Sequence, residues 1–142
     1  MRNFLKSKMI AYTIFLLVVT LHTLSYCKYE ALEEQALREQ KAAFSDYFVG
    51  DDERLKLVWF SNEDNTISIA LAISGLGDKP QELDRLRDNA KRFVFEKVCN
   101  SPALVDYLDQ GNYISVDIRN DDSSSYGVNH ITNVMMSANR CR

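Results

Sequence analysis

The chain has 142 residues, of which 46% are hydrophobic and 26% are charged. This balance is typical of one folded domain and excludes an intrinsically disordered chain. The formal net charge of −3 leaves no excess of basic groups to neutralise phosphates, which argues against a general nucleic-acid binder.

The first 27 residues have the pattern of an export signal. Basic residues at Arg2, Lys6 and Lys8 precede an apolar run at 9–19, and polar residues follow that run. Because a membrane span needs about 20 apolar residues, this shorter run predicts a secretory signal peptide. Residues 28–142 are then a single exported domain, periplasmic or secreted, with a retained N-terminal anchor as the alternative.

Cys27 lies at the end of this signal and has several candidate fates. Ser25-Tyr26-Cys27 is a small-x-small cleavage site, and its use would remove the cysteine. Leu24-Ser25-Tyr26-Cys27 also has the outline of a lipobox, which would make Cys27 a lipidation site, whereas cleavage after Ser25 would leave a free thiol. The bulky Tyr26 favours removal, because a lipobox requires a small residue before the cysteine.

Residues 28–48 are predicted to form the first helix. Ala, Glu, Gln and Leu dominate this segment, all of them good helix formers, and Gly50 ends it. Its apolar side is made of Leu32, Ala36, Leu37, Ala43, Phe44, Tyr47 and Phe48.

An antiparallel hairpin is predicted next. Residues 55–60 are strongly β-prone, and residues 61–66 form a cluster of turn residues. Large apolar residues then alternate with small ones over 67–74, which predicts a strand with Ile69 in the core.

The central helix is predicted over residues 81–99. Its apolar residues recur at steps of three and four and so form one stripe, and Asp78 predicts a capped start three residues before Gln81. The stripe consists of Leu83, Leu86, Ala90, Phe93, Val94 and Val98.

The remaining elements complete a two-layer fold. Ser101 and Pro102 predict a short helix that Gly111 ends, and strands follow at 112–119 and 128–137 around a loop at 120–127. The order α-β-β-α-α-β-β predicts an α+β domain in which an antiparallel four-stranded sheet packs against helices.

One disulfide is predicted. Cys99 and Cys141 are the only cysteines after the signal segment, and an oxidising compartment favours their pairing. In the chain-entropy model, a bridge that closes a loop of this length stabilises the domain by roughly 4 kcal/mol.

A catalytic set is not evident, so we expect a protein that is not an enzyme. His130 is the single histidine after the signal segment, which leaves no pair of histidines for zinc. A triad could be drawn from residues 123–125, His130 and Asp121 or Asp122. However, triads are recognised by geometry rather than by closeness in sequence, and a polar loop beside a strand histidine is the simpler interpretation.

Metal and cofactor sites are not expected either. The acidic runs at 51–53 and 121–122 lack the alternating spacing of a calcium loop and are interpreted as solvated turns. Gly75 and Gly77 lack the further glycine and the Lys-Ser/Thr of a phosphate-binding loop.

The first strand is apolar on both faces. Strict alternation places Leu57 and Trp59 on one face, and Val58 and Phe60 on the other. Either the first helix covers the second face, or the strand offers an apolar surface to a partner. The candidate partner-binding residues are Trp59, Phe60, Leu57, Phe44 and Phe48, with Trp59 as the natural anchor.

Four segments around the two cysteines follow one another in a distinctive order. They are Val98-Cys99-Asn100-Ser101-Pro102, the turn from Leu108 to Gly111, the strand YISVDIRN at 113–120 and a last strand that ends at Cys141. Preceded by an export signal, a helix and a hairpin, this pattern resembles the pilotins of type II secretion systems. The resemblance covers most of residues 30–141.

The resemblance implies a function in the bacterial envelope. Pilotins bind a short C-terminal segment of the secretin subunit and escort it to the outer membrane without catalysis, and they are normally lipidated. The hypothesis is therefore a non-enzymatic exported protein that binds another envelope protein as a pilotin-like factor and touches the membrane only through its N-terminal segment. The alternatives are a secreted effector or inhibitor acting outside the cell, and a small hydrolase that uses His130.

Overall fold

A computed structural model describes the backbone of residues 2–124 and 127–142; the side chains of residues 1–15, 22–24 and 27 lie outside the described set. The chain divides into two compact units, residues 1–39 and residues 40–142. The elements are α1 (Arg2–Phe48), β1 (Leu55–Glu63), β2 (Thr66–Ile73), α2 (Leu83–Cys99), α3 (Pro102–Asp109), β3 (Tyr113–Asn120), β4 (His130–Met136) and a short 3-10 helix, Ala138–Arg140.

The N-terminal unit consists of helix throughout its described backbone. Helix α1 begins at Arg2, whereas the sequence predicted a helix only from residue 28. Within the described part of the chain, no helix combines the length and the apolar character needed to cross a membrane. The candidate modification of Cys27 falls outside the described side chains and stays a prediction.

The sheet is mixed rather than purely antiparallel. Among the described residues, four strands form it in the order β1-β2-β3-β4. The outer pairs are antiparallel, but β2 and β3 are parallel, with Ile69 opposite Val116. The predicted antiparallel sheet is therefore wrong at its centre. The reason is that α2 carries the chain back along the sheet, so β3 starts at the same end as β2. The eight residues of α3 reach only about 12 Å and are too short to reverse the direction again.

The hairpin turn is tighter than the sequence predicted. It consists of Asp64 and Asn65, which both adopt left-handed conformations with φ of 49° and 60°. A two-residue turn of this kind matches the twist of the flanking strands, and Asp and Asn tolerate it better than most residues. Strand β1 therefore continues to Glu63, beyond its predicted end at residue 60.

The core lies between one face of the sheet and α2. Ile69 is 1% exposed, as the alternation in β2 predicted, and the stripe of α2 contributes Ala90, Val94 and Val98. The other buried members of the core are Phe48, Phe60, Ile67, Leu71, Leu108, Ile114, Val116, Ile118, Ile131, Val134 and Met136.

The last turns of α1 belong to this core. Phe44 stacks on Phe48 with a centroid distance of 5.9 Å and packs on Phe60 at 5.3 Å. The Tyr47 hydroxyl donates to the Lys97 carbonyl oxygen at 2.7 Å, and Lys97 Nζ donates to the Tyr47 carbonyl oxygen at 2.7 Å. This reciprocal pair fixes the C-terminal end of α1 to α2, and Lys97 also satisfies a carbonyl that the helix end leaves without an intrahelical donor.

The starts of the two later helices differ in how they are capped. The predicted Asp78 cap of α2 is wrong, since the helix begins at Leu83 after a left-handed Glu82 and no described side chain caps it. For α3 the prediction is confirmed, because the Leu104 amide donates to Ser101 Oγ at 3.4 Å and Pro102 occupies the first turn. Asp78 lies too far before Leu83 to reach the free amides of the first turn of α2.

The predicted disulfide is confirmed. Cys99 and Cys141 are bonded, with their Cα atoms 5.3 Å apart and a sequence separation of 42. The bond joins the end of α2 to the C-terminus just beyond β4. It therefore closes a covalent loop that contains strands β3 and β4.

We expect Cys99→Ser to lower the free energy of unfolding by about 2–5 kcal/mol, because the unfolded chain regains the entropy that the bridge removes. Urea denaturation of the variant and of the wild type would measure this loss. Reduced wild-type protein is the control and should lose a similar amount. Peptide mapping under non-reducing conditions that found both thiols free would contradict the assignment.

Candidate interaction surface

Strand β1 lies at the edge of the sheet and contains a bulge. Leu57 pairs with Leu71, but Trp59 pairs with Ala70, so Val58 has no partner position in the described register of β2. A bulge of this type adds one residue to a strand and redirects the side chains that follow it.

The bulge changes the predicted arrangement of faces. The sequence placed Leu57 with Trp59 and Val58 with Phe60, and this is wrong because strict alternation fails at the extra residue. Leu57 and Phe60 both pack toward the core. Val58 and Trp59 are neighbours away from the core, 47% and 51% exposed.

We call the sheet face that carries Trp59 the outer face. Cross-strand pairing places Trp59, Ala70, Asp117 and Asn133 in one row across all the described strands. Ala70 is only 1% exposed and lies between the larger Trp59 and Asp117. The row therefore has an aromatic group at the β1 end and polar groups at the β4 end.

Charged side chains border the outer face. Arg119 Nε donates to Asp117 Oδ2 at 2.5 Å, and His130 Nε2 lies 3.1 Å from Asp117 Oδ1. On the β1 side, Lys56 Nζ lies 3.4 Å from Asp121 Oδ2. Lys56, Arg119 and His130 are all more than half exposed, so these pairs add little stability. They add polar groups to the outer face beside the apolar side chains.

The structure separates the predicted partner-binding residues into two groups. Trp59 alone of that set is exposed, on the outer face. Phe44 contacts both Phe48 and Phe60 in the core, and Leu57 is half-buried against it. Val58, which the sequence did not single out, lies beside Trp59 instead, and only knowledge of the bulge could have indicated it.

In addition to the outer face, the domain has an apolar cavity on the helix side of the sheet. It has a volume of about 230 Å³ and lies between the start of β1, the end of β2 and α2. The described residues that line it are Asp52, Arg54, Leu55, Ile73, Leu76, Leu86, Asn89, Ala90, Phe93 and Ile118. Sequence reasoning missed it, because residues from several distant elements form its walls.

The acidic residues after β3 are engaged in the structure rather than simply solvated. Asp122 Oδ2 accepts hydrogen bonds from the Leu76 and Gly77 amides at 2.6 and 2.9 Å. Asp121 pairs with Lys56. In the described part of the chain, no cluster of three His, Cys, Asp or Glu side chains is arranged to hold a metal ion.

The residues of the hydrolase alternative do not meet in the described structure. His130 faces Asp117 rather than Asp121 or Asp122. The Ser123 hydroxyl donates to the Asn120 carbonyl oxygen at 3.3 Å, and Ser125 lies outside the described residues. The alternation of YISVDIRN places Asp117 and Arg119 on one face, so this cluster could have been predicted from the sequence.

Comparison with known proteins reveals similarity of fold. No family model and no curated protein sequence matches the chain. The chain is similar to EpsS, the pilotin of the Vibrio vulnificus type 2 secretion system, with a TM-score of 0.50 and 21% identity over 80% of this chain and 94% of EpsS.

Two further solved structures are similar to the chain. One is a protein of Pseudomonas aeruginosa described as secreted, with a TM-score of 0.49 and 15% identity over 78% of this chain and 97% of that one. The other is AspS, the type II secretion pilotin of Vibrio cholerae, with a TM-score of 0.45 and 10% identity over 79% and 98%. The similarity to EpsS confirms, for the fold, the resemblance to pilotins that the order of elements suggested.

We expect the fluorescence of the single tryptophan, Trp59, to be red-shifted and readily quenched by acrylamide, because half of its side chain is in contact with water. Emission spectra and Stern–Volmer quenching of the folded protein would measure this. Denatured protein provides the fully exposed reference. A blue-shifted emission that resists the quencher would place Trp59 in the core and remove it from the surface.

A pH dependence is expected from Asp78. Hydrogen bonds from Ser124 hold the pKa of the Asp78 carboxyl below its usual value of 3.8. The ionised form is therefore favoured in the folded state, so its stabilisation is complete above about pH 3.8 and is lost as the pH falls through the lower folded pKa. The difference in unfolding free energy between wild type and Asp78→Asn, measured by urea denaturation, should shrink below that pH; a constant difference would contradict the assignment.

Proposed function

We propose that this chain is a non-enzymatic, exported envelope protein that binds another protein, acting as a pilotin-like helper of a secretin. The fold shared with the pilotin EpsS supports this proposal. The observation that carries it is the bulged edge strand, which brings two large apolar side chains, Val58 and Trp59, together on an open sheet face.

The chemistry of this surface suits protein binding. An aromatic side chain such as Trp59 offers a large contact area at low conformational cost, and tryptophan is enriched among residues that dominate binding energy. Val58 extends the apolar area, and the charges of Lys56 and Arg119 lie within the same face. An apolar centre with a polar rim is the usual anatomy of a transient interface.

The proposed partner is the C-terminal segment of a secretin subunit. Such a segment would place an apolar side chain against Trp59 and Val58 and polar groups toward Lys56 or Arg119. Contacts through side chains are favoured over the addition of a strand to β1, because the bulge at Val58 interrupts the ladder that an added strand would need.

Export is part of the same proposal. Residues 1–27 act as the export signal, and Cys27 is removed with it or retained and lipidated; the alternatives are cleavage after Ser25, which leaves a free thiol, and retention of the whole segment as an anchor. The mass of the mature protein distinguishes these outcomes, since lipidation adds acyl chains to an N-terminal cysteine and cleavage after Cys27 leaves Lys28 first. In each case, contact with the membrane is limited to the N-terminal segment.

We expect Trp59→Ala to weaken binding of a peptide from the secretin C-terminus by about 30-fold, the equivalent of a hot-spot residue. Isothermal titration calorimetry of the folded protein would measure the affinity. Met135→Ala is a matched control, because Met135 is also exposed on the outer face but lies on β4, at the opposite edge. Equal affinity of the Trp59 variant and the wild type would contradict this role for Trp59.

Substitutions that affect the binding surface should differ from those that affect the stability of the fold. We expect Ile69→Ala to lower the free energy of unfolding by about 2–5 kcal/mol, because it opens a cavity in a fully packed core. Trp59→Ala should change the urea midpoint little, since the side chain is half exposed. A Trp59 variant as unstable as the Ile69 variant would show that Trp59 is a structural residue.

A further inference from the structure

The connection between β2 and α2 has little regular structure of its own. Residues 74–82, here called the flap, contain three left-handed positions: Gly75 with φ of 82°, Gly77 with φ of 75° and Glu82 with φ of 56°. A Cβ added at either glycine would meet open space, so tight packing does not explain why glycine is present. The left-handed backbone does explain it, because glycine adopts this conformation without strain.

Hydrogen bonds from the loop after β3 hold the flap. The Asp122 carboxylate accepts from two consecutive flap amides, those of Leu76 and Gly77, at 2.6 and 2.9 Å. Asn120 is 3% exposed; its Nδ2 donates to the Gly77 carbonyl oxygen at 2.8 Å, and its Oδ1 accepts from the Asp122 amide at 3.1 Å. The Asp122 carboxylate thus binds two backbone amides of the flap, and the Asn120 carboxamide binds a backbone carbonyl oxygen of the same short stretch.

Further contacts hold the start and the middle of the flap. At its start, the Ser74 amide donates to the Arg54 carbonyl oxygen at 2.8 Å. Beyond Gly77, Asp78 accepts from the Ser124 amide at 2.5 Å through its side chain and from the Val128 amide at 3.0 Å through its carbonyl oxygen. Most of the hydrogen bonds that position the flap therefore come from outside it.

Leu76 connects this network to the apolar cavity. Its amide is bound by Asp122, while its half-buried side chain packs against the core and forms one wall of the 230 Å³ cavity. Seven of the ten described residues that line the cavity are apolar. Movement of the flap by a few ångströms would therefore widen an apolar space rather than expose a polar one.

We propose that residues 74–82 form a flap beside this cavity and that Asp122 is the latch that holds Leu76 in the cavity wall. Release of the two amides from the carboxylate lets the glycines change conformation, withdraws Leu76 and admits an apolar group between α2 and the β1–β2 hairpin. This device lies on the helix side of the sheet and is independent of the binding proposed for Trp59.

Hydrogen exchange of the full-length protein tests the latch directly. Asp122→Ala should speed exchange of the Leu76 and Gly77 amides at least tenfold and leave the amides of Ile69 and Val116 in the central strands unchanged. Asp121→Ala is the matched control, because the neighbouring carboxylate pairs with Lys56 instead. Asp122→Asn keeps an acceptor oxygen and should give an intermediate rate.

Benzene is the probe for the cavity, since a cavity of about 150 Å³ lined by Leu, Ile and Phe binds it. Asp122→Ala should bind benzene at least fivefold more tightly than the wild type, with chemical-shift changes at Leu76, Leu86 and Phe93. Leu76→Ala provides a second route, because it removes one cavity wall and leaves both latched amides in place; it should bind benzene while the Gly77 amide stays protected.

Hydrogen exchange and benzene binding together decide whether Asp122 acts as a latch. Fast exchange confined to the flap together with stronger benzene binding supports the latch. Unchanged exchange in Asp122→Ala overturns it, and so does acceleration that extends equally to Ile69 and Val116, since that result would mean that Asp122 only stabilises the whole domain. In the wild type, exchange of the Leu76 amide should depend less on urea than that of Ile69; equal dependence would also overturn the flap.

Discussion

The burial of one face of the sheet under α2 is the constraint on which the rest of this domain depends. Ala90, Val94 and Val98 of α2 are buried against the inward residues of β2 and β3, with Val94, Val98 and Leu71 all at 0% exposure. Because one long helix covers that face, it also fixes the direction of β3, and the central pair becomes parallel. The disulfide then joins the end of this same helix to the chain beyond β4. The covered face holds the fold together, and the outer face carries the exposed side chains of Val58 and Trp59.

The sequence predicted the parts of this arrangement that depend on local pattern. Alternation in β2 identified Ile69 as a core residue, the spacing in α2 identified its buried stripe, and Ser101 with Pro102 identified the start of α3. The direction of β3 could not be obtained in this way, because it depends on how a helix lies across a sheet. The missing cap of α2 has a similar cause, since Asp78 has a better partner in a loop more than forty residues away.

The candidate surface was predictable for one residue and not for its neighbour. Trp59 could be identified from the sequence as a large aromatic residue in a predicted strand. The role of Val58 depends on a bulge that alternation alone does not reveal. The same bulge explains how an edge strand with exposed apolar side chains avoids pairing with other chains. Two adjacent apolar side chains on a flat edge would favour pairing with other chains, whereas a bulged edge disrupts the regular ladder that such pairing needs.

The bulge in β1 has two effects, and both bear on the proposed function. A protein that binds a partner segment must expose apolar surface without aggregating, and the two requirements conflict on a regular edge strand. In β1 the bulge resolves the conflict at one position: it turns Val58 to the side of Trp59 and simultaneously interrupts the backbone groups beside it. The neighbouring ion pairs add polar groups around this apolar site. The recognition proposed for the outer face is therefore expected to depend on side chains, and its specificity on how an apolar anchor and a charge are spaced along the partner.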